Sequence, residues 1–198
     1  PIQDDILRFE LETESLLTPE LAQKHEAWRS PAPPPTRRCA LMLAIWEQLR
    51  PMLYTEQKAV LDAIKKWAGY HPVFAPAALP MHRDQLNHLS NQPLFDLGLH
   101  TVTHPALAYH PEEVQYSELA ENKKALQGYN PVNVAAFPYG NYNNTTLSIL
   151  QKQRIDAGFT TEERKITKGS NLLCLGRVQV KNWNGTAFEK QLQHWLKS

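Results

Sequence analysis

The sequence predicts an α/β fold, and three patterns along residues 71–198 carry that prediction. Short apolar runs are rich in β-branched residues, as buried strands are. Segments with apolar residues at helical spacing separate these runs. The runs are apolar enough to be covered on both faces, which is typical of a parallel sheet flanked by helices. Residues 1–70 are polar and helical in pattern, so we expect a helical region packed on the main domain.

Individual strands and helices can be located from these patterns and from residues that start or end helices. Pro19 after Thr18, and Pro111 before two glutamates, are typical first-turn prolines. Gly69 stands where a helix is expected to end. Helices are expected to begin near residues 19, 38, 55, 83, 111, 144 and 186. Strands are expected at 95–99, 132–137, 158–161 and 172–180, whereas the apolar run 72–75 is too short and too closely bounded by proline to assign.

The composition narrows the classes of function. The chain of 198 residues suffices for a domain with a sizeable core, and its net charge of +1 indicates neither a nucleic-acid nor a membrane-surface partner. No apolar run approaches the roughly 18 residues that span a bilayer. Cys39 and Cys174 form no CxxC unit and no disulfide framework, which suits a reducing compartment. Because residue 1 is proline, we expect a processed chain or a fragment.

Two histidines at the end of a predicted strand are the main candidates for a functional site. His100 and His104 follow the apolar run at 95–99, and Pro105 prevents the chain from continuing as regular helix. Neutral imidazole is the commonest metal ligand in proteins, so two imidazoles at one strand end could share a divalent metal. On spacing alone a second interpretation stays open, namely two histidines in a turn that are satisfied by hydrogen bonds.

The residues around this pair resemble a known family. Residues 100–104 read His-Thr-Val-Thr-His and resemble the His-[Ser/Thr]-x-x-His motif of the polysaccharide deacetylases, a superfamily of metal-dependent carbohydrate esterases. Residues 137–142 read Phe-Pro-Tyr-Gly-Asn-Tyr and are similar to a later motif of that family, a Pro-Tyr pair after a strand. The motifs lie in the family's order, and the resemblance covers about residues 71–198.

The resemblance implies a fold and an activity. Family members fold as an irregular, distorted (β/α) barrel, and a partial barrel with residues 1–70 as an N-terminal helical insertion matches the few predicted strands. Active sites in such folds lie at the carboxyl ends of strands, where both motifs are expected. The implied reaction is metal-dependent hydrolysis of N- or O-acetyl groups from a polysaccharide or oligosaccharide.

The resemblance also implies a role for each site residue. His100 and His104 would bind a divalent metal, with zinc expected as the cofactor. The backbone N–H of Tyr139 would help to stabilise the oxyanion. Pro138 would shape the substrate groove, and Tyr142 could stack on a sugar face.

The sequence departs from the family's pattern in its acidic and acid-base residues. No segment matches the family's Thr-Phe-Asp-Asp-Gly strand, which supplies a general base and a metal ligand, and Asp4-Asp5 lacks its context. A missing N-terminal segment would then supply the Asp ligands. Arg177 stands where the family has a histidine that acts as general acid, and arginine can only stabilise negative charge. We therefore expect the isolated chain to be weakly active or inactive.

Two other functions remain compatible with the sequence. One is a non-catalytic carbohydrate-binding module, which would keep the cleft but lack the base. The other is a helical interaction protein in which the histidine pair is incidental. A metal in contact with both His100 and His104 would separate the deacetylase from the interaction protein.

Overall fold

The computed structural model describes residues 9–29, 32–71, 73 and 79–197. The chain divides into two compact units, Pro1–Pro80 and Met81–Ser198. Asp4-Asp5 and most of the apolar run 72–75 lie outside the described residues. None of the helices in the described part of the chain is both long and apolar enough to cross a membrane.

The first unit consists of helices in its described part. The first two helices begin where a threonine side chain accepts a hydrogen bond from an otherwise unpaired N–H group of the first turn. Thr18 Oγ1 accepts from Leu21 N at 3.3 Å, and Thr36 Oγ1 accepts from Cys39 N at 3.1 Å. These helices are α1 (Pro19–Ala27), α2 (Arg37–Leu49) and α3 (Tyr54–Trp67). The helices expected near residues 19, 38 and 55 are thus confirmed.

The second unit is built on a narrow parallel layer. Strands β1 (Val134–Ala136) and β2 (Ala157–Phe159) pair in parallel, with Ala135 opposite Gly158. Leu99 forms a parallel bridge to Ala135, and Leu175 forms one to Phe159. The order across the layer is therefore Leu99, β1, β2, Leu175, which follows the chain. This order confirms the α/β class, whereas a partial barrel stays a prediction.

Helices connect and cover this layer. They are α4 (Arg83–Ser90), α5 (Glu112–Leu126), α6 (Asn144–Lys152) and α7 (Gly185–Lys197). Helix α5 lies between Leu99 and β1 in the chain, α6 lies between β1 and β2, and the two helices pack together. The core joins apolar residues of the layer, the helices and their connections: Leu99, Leu107, Leu119, Ala135, Phe137, Ile149, Leu150 and Ile155.

The strands are shorter than the sequence predicts, and the expected strands 95–99 and 172–180 are each reduced to a single bridge residue. In 95–99 only Leu99 forms a bridge and Phe95 is exposed. The N–H of His100, just after this run, donates to Asn122 Oδ1 at 2.9 Å. In 172–180 the Asn171 side chain accepts from Leu173 N at 3.0 Å and starts a 3₁₀ turn. At this turn a side chain has replaced a neighbouring strand as the hydrogen-bond partner.

We predict that Gly158→Ala destabilises the second unit. A Cβ atom at Gly158 would lie 2.2 Å from the carbonyl oxygen of Leu173 and 2.8 Å from the Phe137 ring. Overpacking of this kind costs about 1–3 kcal/mol, which denaturant unfolding can measure. Gly128→Ala is the matched control, because nothing lies within 4 Å of its added Cβ. Equal stability of the two variants would contradict the close packing at β2.

Candidate functional site

The candidate site begins where the chain leaves the layer at Leu99. Thr101 has φ 64° and His104 has φ 60°, so both residues adopt left-handed backbone conformations. Such values are uncommon outside glycine and are outliers for a β-branched residue such as threonine. The loop also closes on itself, because Thr101 Oγ1 accepts from His104 N at 3.1 Å. The result is a tight loop that brings the His100 and His104 ring centroids to 4.8 Å.

The hydrogen bond made by His100 fixes both its ring and its tautomer. Nδ1 of His100 lies 2.8 Å from the carbonyl oxygen of Ala136 in β1. A carbonyl oxygen only accepts, so Nδ1 carries a hydrogen, and in the neutral ring Nε2 is then the nitrogen with a free lone pair. Histidines that bind metals use this arrangement, in which a bond from one ring nitrogen orients the other toward the ion.

His104 lies between two other rings. Its centroid is 4.7 Å from that of Tyr139, and both neighbouring rings, His100 and Tyr139, meet it nearly edge to face. Partial removal from water lowers the pKa of His104, and repulsion from His100 lowers it further. The neutral imidazole, which is the form that binds metals, is therefore favoured.

The pair fits part of a metal site. His100 and His104 are both exposed to solvent, so an ion could reach their rings. Catalytic zinc sites use three protein ligands and keep one position open. Within residues 9–29, 32–71, 73 and 79–197, no group of three or more His, Cys, Asp and Glu side chains is placed to hold a metal. The described residues therefore offer two imidazole ligands and no third.

The Pro-Tyr segment forms a tight turn beside the histidines. Pro138 is fully buried, so its ring shapes this turn and offers almost no surface to a substrate. Tyr139 has φ 57°, and Gly140 N donates to the carbonyl oxygen of Phe137 at 2.9 Å. Thr161 Oγ1 donates to the carbonyl oxygen of Tyr139 at 3.4 Å. The turn leaves Tyr139 40% exposed as a residue, with its ring next to that of His104.

Tyr142 is tied to the core. Its ring stacks on Phe137 with centroids 5.1 Å apart, and its hydroxyl donates to Glu162 Oε1 at 3.4 Å. Burial raises the pKa of the Tyr142 hydroxyl, and the nearby Cys174 and Glu162 raise it further. One ring face is thus used by the core, and stacking of a sugar on Tyr142 stays a prediction for the opposite face.

Arg177 is connected to Tyr139 through the segment 160–162. Arg177 Nε donates to the carbonyl oxygen of Thr160 at 2.7 Å, and its backbone N–H donates to that of Glu162 at 2.9 Å. Thr161, between these two residues, is the one that contacts Tyr139. The structure thus joins His100, His104 and Tyr139 in one ring cluster and links Arg177 to that cluster indirectly.

Two residues of α5 belong to the site and were missed by the sequence analysis. Glu118 accepts hydrogen bonds from Val102 and Thr103, and Asn122 accepts one from the backbone of His100. Both lie on the face of α5 that carries the buried Leu119. The sequence pattern that could have identified them is a pair of polar residues four positions apart on the inward face of a predicted helix.

Comparisons with known proteins identify the family to which the chain is similar. The family model for polysaccharide deacetylase matches residues 47–158, which include both motifs. YxkH of Bacillus subtilis (strain 168), assigned to the polysaccharide deacetylases, is 30% identical over 92 residues, which are 45% of this chain and 33% of YxkH. The chain therefore spans about a third of the length of that curated relative.

Two solved structures are similar to parts of this chain. The Streptococcus pyogenes deacetylase PplD, determined in complex with acetate, aligns with a TM-score of 0.53 and 28% identity over 61% of this chain and 53% of PplD. BA0330 of Bacillus anthracis, also assigned to the polysaccharide deacetylases, aligns with a TM-score of 0.45 and 23% identity over 63% of this chain and 42% of BA0330.

The likeness to PplD supports a deacetylase-like α/β fold. The match of residues 47–158 covers more than half of the 198 residues. This chain therefore belongs to the polysaccharide deacetylase family.

Proposed function

We propose that this chain carries part of the metal-dependent active site of an enzyme that hydrolyses N- or O-acetyl groups of a polysaccharide. One observation carries the proposal: the His100 and His104 rings converge beside Tyr139, with Nδ1 of His100 held by Ala136. The family is generally metal-dependent, and its PplD relative has been captured with acetate, the product of deacetylation. Nothing at the described site favours a non-catalytic carbohydrate-binding module instead.

His100 and His104 are the proposed ligands of the metal. Zinc suits this donor set, because it accepts imidazole nitrogen together with carboxylate oxygen in four-coordinate sites. We propose that an Asp from a preceding segment completes the set. When bound, a divalent metal supplies Lewis-acid polarisation of an acyl carbonyl and lowers the pKa of a water molecule.

The remaining residues would act on the acetyl group and the sugar. The backbone N–H of Tyr139 is the proposed donor to the developing oxyanion, in a turn already fixed by Pro138. Arg177 would add positive charge near the carboxyl end of β2, since it is held by Thr160 just after that strand. Tyr142 is the proposed contact for a sugar ring through the face that Phe137 leaves open.

We predict that His100→Ala and His104→Ala each weaken zinc binding more than about tenfold, because each removes a direct ligand. Substitution of residues that only support metal ligands already lowers metal affinity by about tenfold or more. Titration of the 198-residue chain with zinc against a chromophoric chelator measures the affinity. His88→Ala is the control, since His88 is exposed in the last turn of α4. An unchanged zinc affinity in either histidine variant would show that the two histidines do not share an ion.

We predict that the zinc-loaded chain releases acetate from acetylated chito-oligosaccharides only slowly, because the described residues provide two of the expected ligands. The slow release should disappear in His100→Ala and persist in His88→Ala. Release that is unchanged by His100→Ala would contradict the proposed site. Fast turnover by the chain alone would contradict the proposal that an acidic ligand comes from a preceding segment.

A further inference from the structure

The loop that carries the histidines does not hold its shape by backbone preference. Thr101 and His104, at its two ends, both have positive φ values. Each is a conformation that costs free energy for a residue with a side chain and persists only where surrounding contacts enforce it. The loop would therefore relax if the contacts that enforce it were removed, and the two rings would lose their common position.

The contacts that enforce the loop come mainly from one carboxylate. Glu118 Oε2 accepts hydrogen bonds from Val102 N at 2.7 Å and from Thr103 N at 2.8 Å. Glu118 Oε1 accepts from the Thr103 hydroxyl at 2.6 Å. Both carboxylate oxygens are thus used on the two residues midway between the histidines.

Helix α5 gives this carboxylate a rigid base. Glu118 precedes Leu119, which is fully buried in the core, and lies one turn before Asn122. Asn122 Oδ1 accepts from the backbone N–H of His100 at 2.9 Å. After Leu99, the backbone N–H groups of His100, Val102 and Thr103 therefore all donate to side chains on one face of α5.

We infer that Glu118 is a positioning residue for the metal site: its carboxylate holds the loop so that His100 and His104 present their rings to one ion. This inference rests on the proposed function. Glu118 acts through the loop and is not a third ligand, because in the described part of the chain it forms no metal-holding group with the two histidines.

The test measures zinc affinity of the 198-residue chain in three variants. Glu118→Ala removes the acceptor and should weaken zinc binding roughly 10- to 100-fold, the range typical of residues that support metal ligands. Glu118→Gln keeps a carbonyl oxygen for the two backbone N–H groups and an amide that can donate to Thr103, so it should bind within about threefold of the parent. Glu121→Ala is the matched control, because Glu121 is an exposed carboxylate on the same helix whose ion pair is with Lys124.

Hydrogen exchange of the metal-free chain provides a second measurement. The amides of Val102 and Thr103 should exchange faster in Glu118→Ala than in the parent, Glu118→Gln and Glu121→Ala. Circular dichroism identifies variants that have lost helices, and Glu118→Gln keeps the test decisive if Glu118→Ala does not fold.

The outcomes separate this inference from the proposed function. Unchanged zinc affinity in a folded Glu118→Ala would overturn the positioning role while leaving the metal site intact. A folded Glu118→Gln that binds as weakly as Glu118→Ala would also overturn it, because charge rather than hydrogen bonding would then be responsible. A parent chain that binds no zinc would refute the proposed metal site. Rapid hydrogen exchange of the Val102 and Thr103 amides in the metal-free parent would by itself refute the role of Glu118, whatever the zinc affinity.

Discussion

The parallel hydrogen bonds between Leu99 and β1 determine where the candidate site forms. Leu99 N donates to the carbonyl oxygen of Val134, and Ala136 N donates to that of Leu99, both at 2.8 Å. This register places the residue after Leu99 beside the end of β1, so His100 Nδ1 reaches the carbonyl oxygen of Ala136. The chain then continues from β1 into the Tyr139 turn. Shifting the pairing by one residue would turn the His100 side chain to the other face.

The site combines a regular part and a strained part. The register of the layer fixes His100, whereas His104 depends on a loop with two left-handed residues, Thr101 and His104 itself. Strained backbone is common where side chains must converge for function, and the surrounding structure has to hold it in place. Here that support comes from α5, the helix that connects the two strands carrying the histidine and tyrosine motifs.

The sequence predicts the parts of this structure that depend on neighbours along the chain. Helix starts at Pro19 and Pro111 and the motifs at 100–104 and 137–142 are local patterns, and each was located from residues within a few positions. The short strand ends and the supporting carboxylate were missed, because they depend on distant partners. Asn122 bonds to the backbone of His100 from 22 positions away, and Glu118 reaches Thr103 from 15 positions away.

The central claim is that His100 and His104 bind one ion, and X-ray absorption at the zinc K-edge tests it most directly. For the 198-residue chain with one equivalent of zinc, we expect nitrogen neighbours at about 2.0–2.1 Å and the outer scattering of two imidazole rings. The outer scattering should fall to one ring in His104→Ala. A spectrum with one imidazole or none in the parent chain would contradict the account.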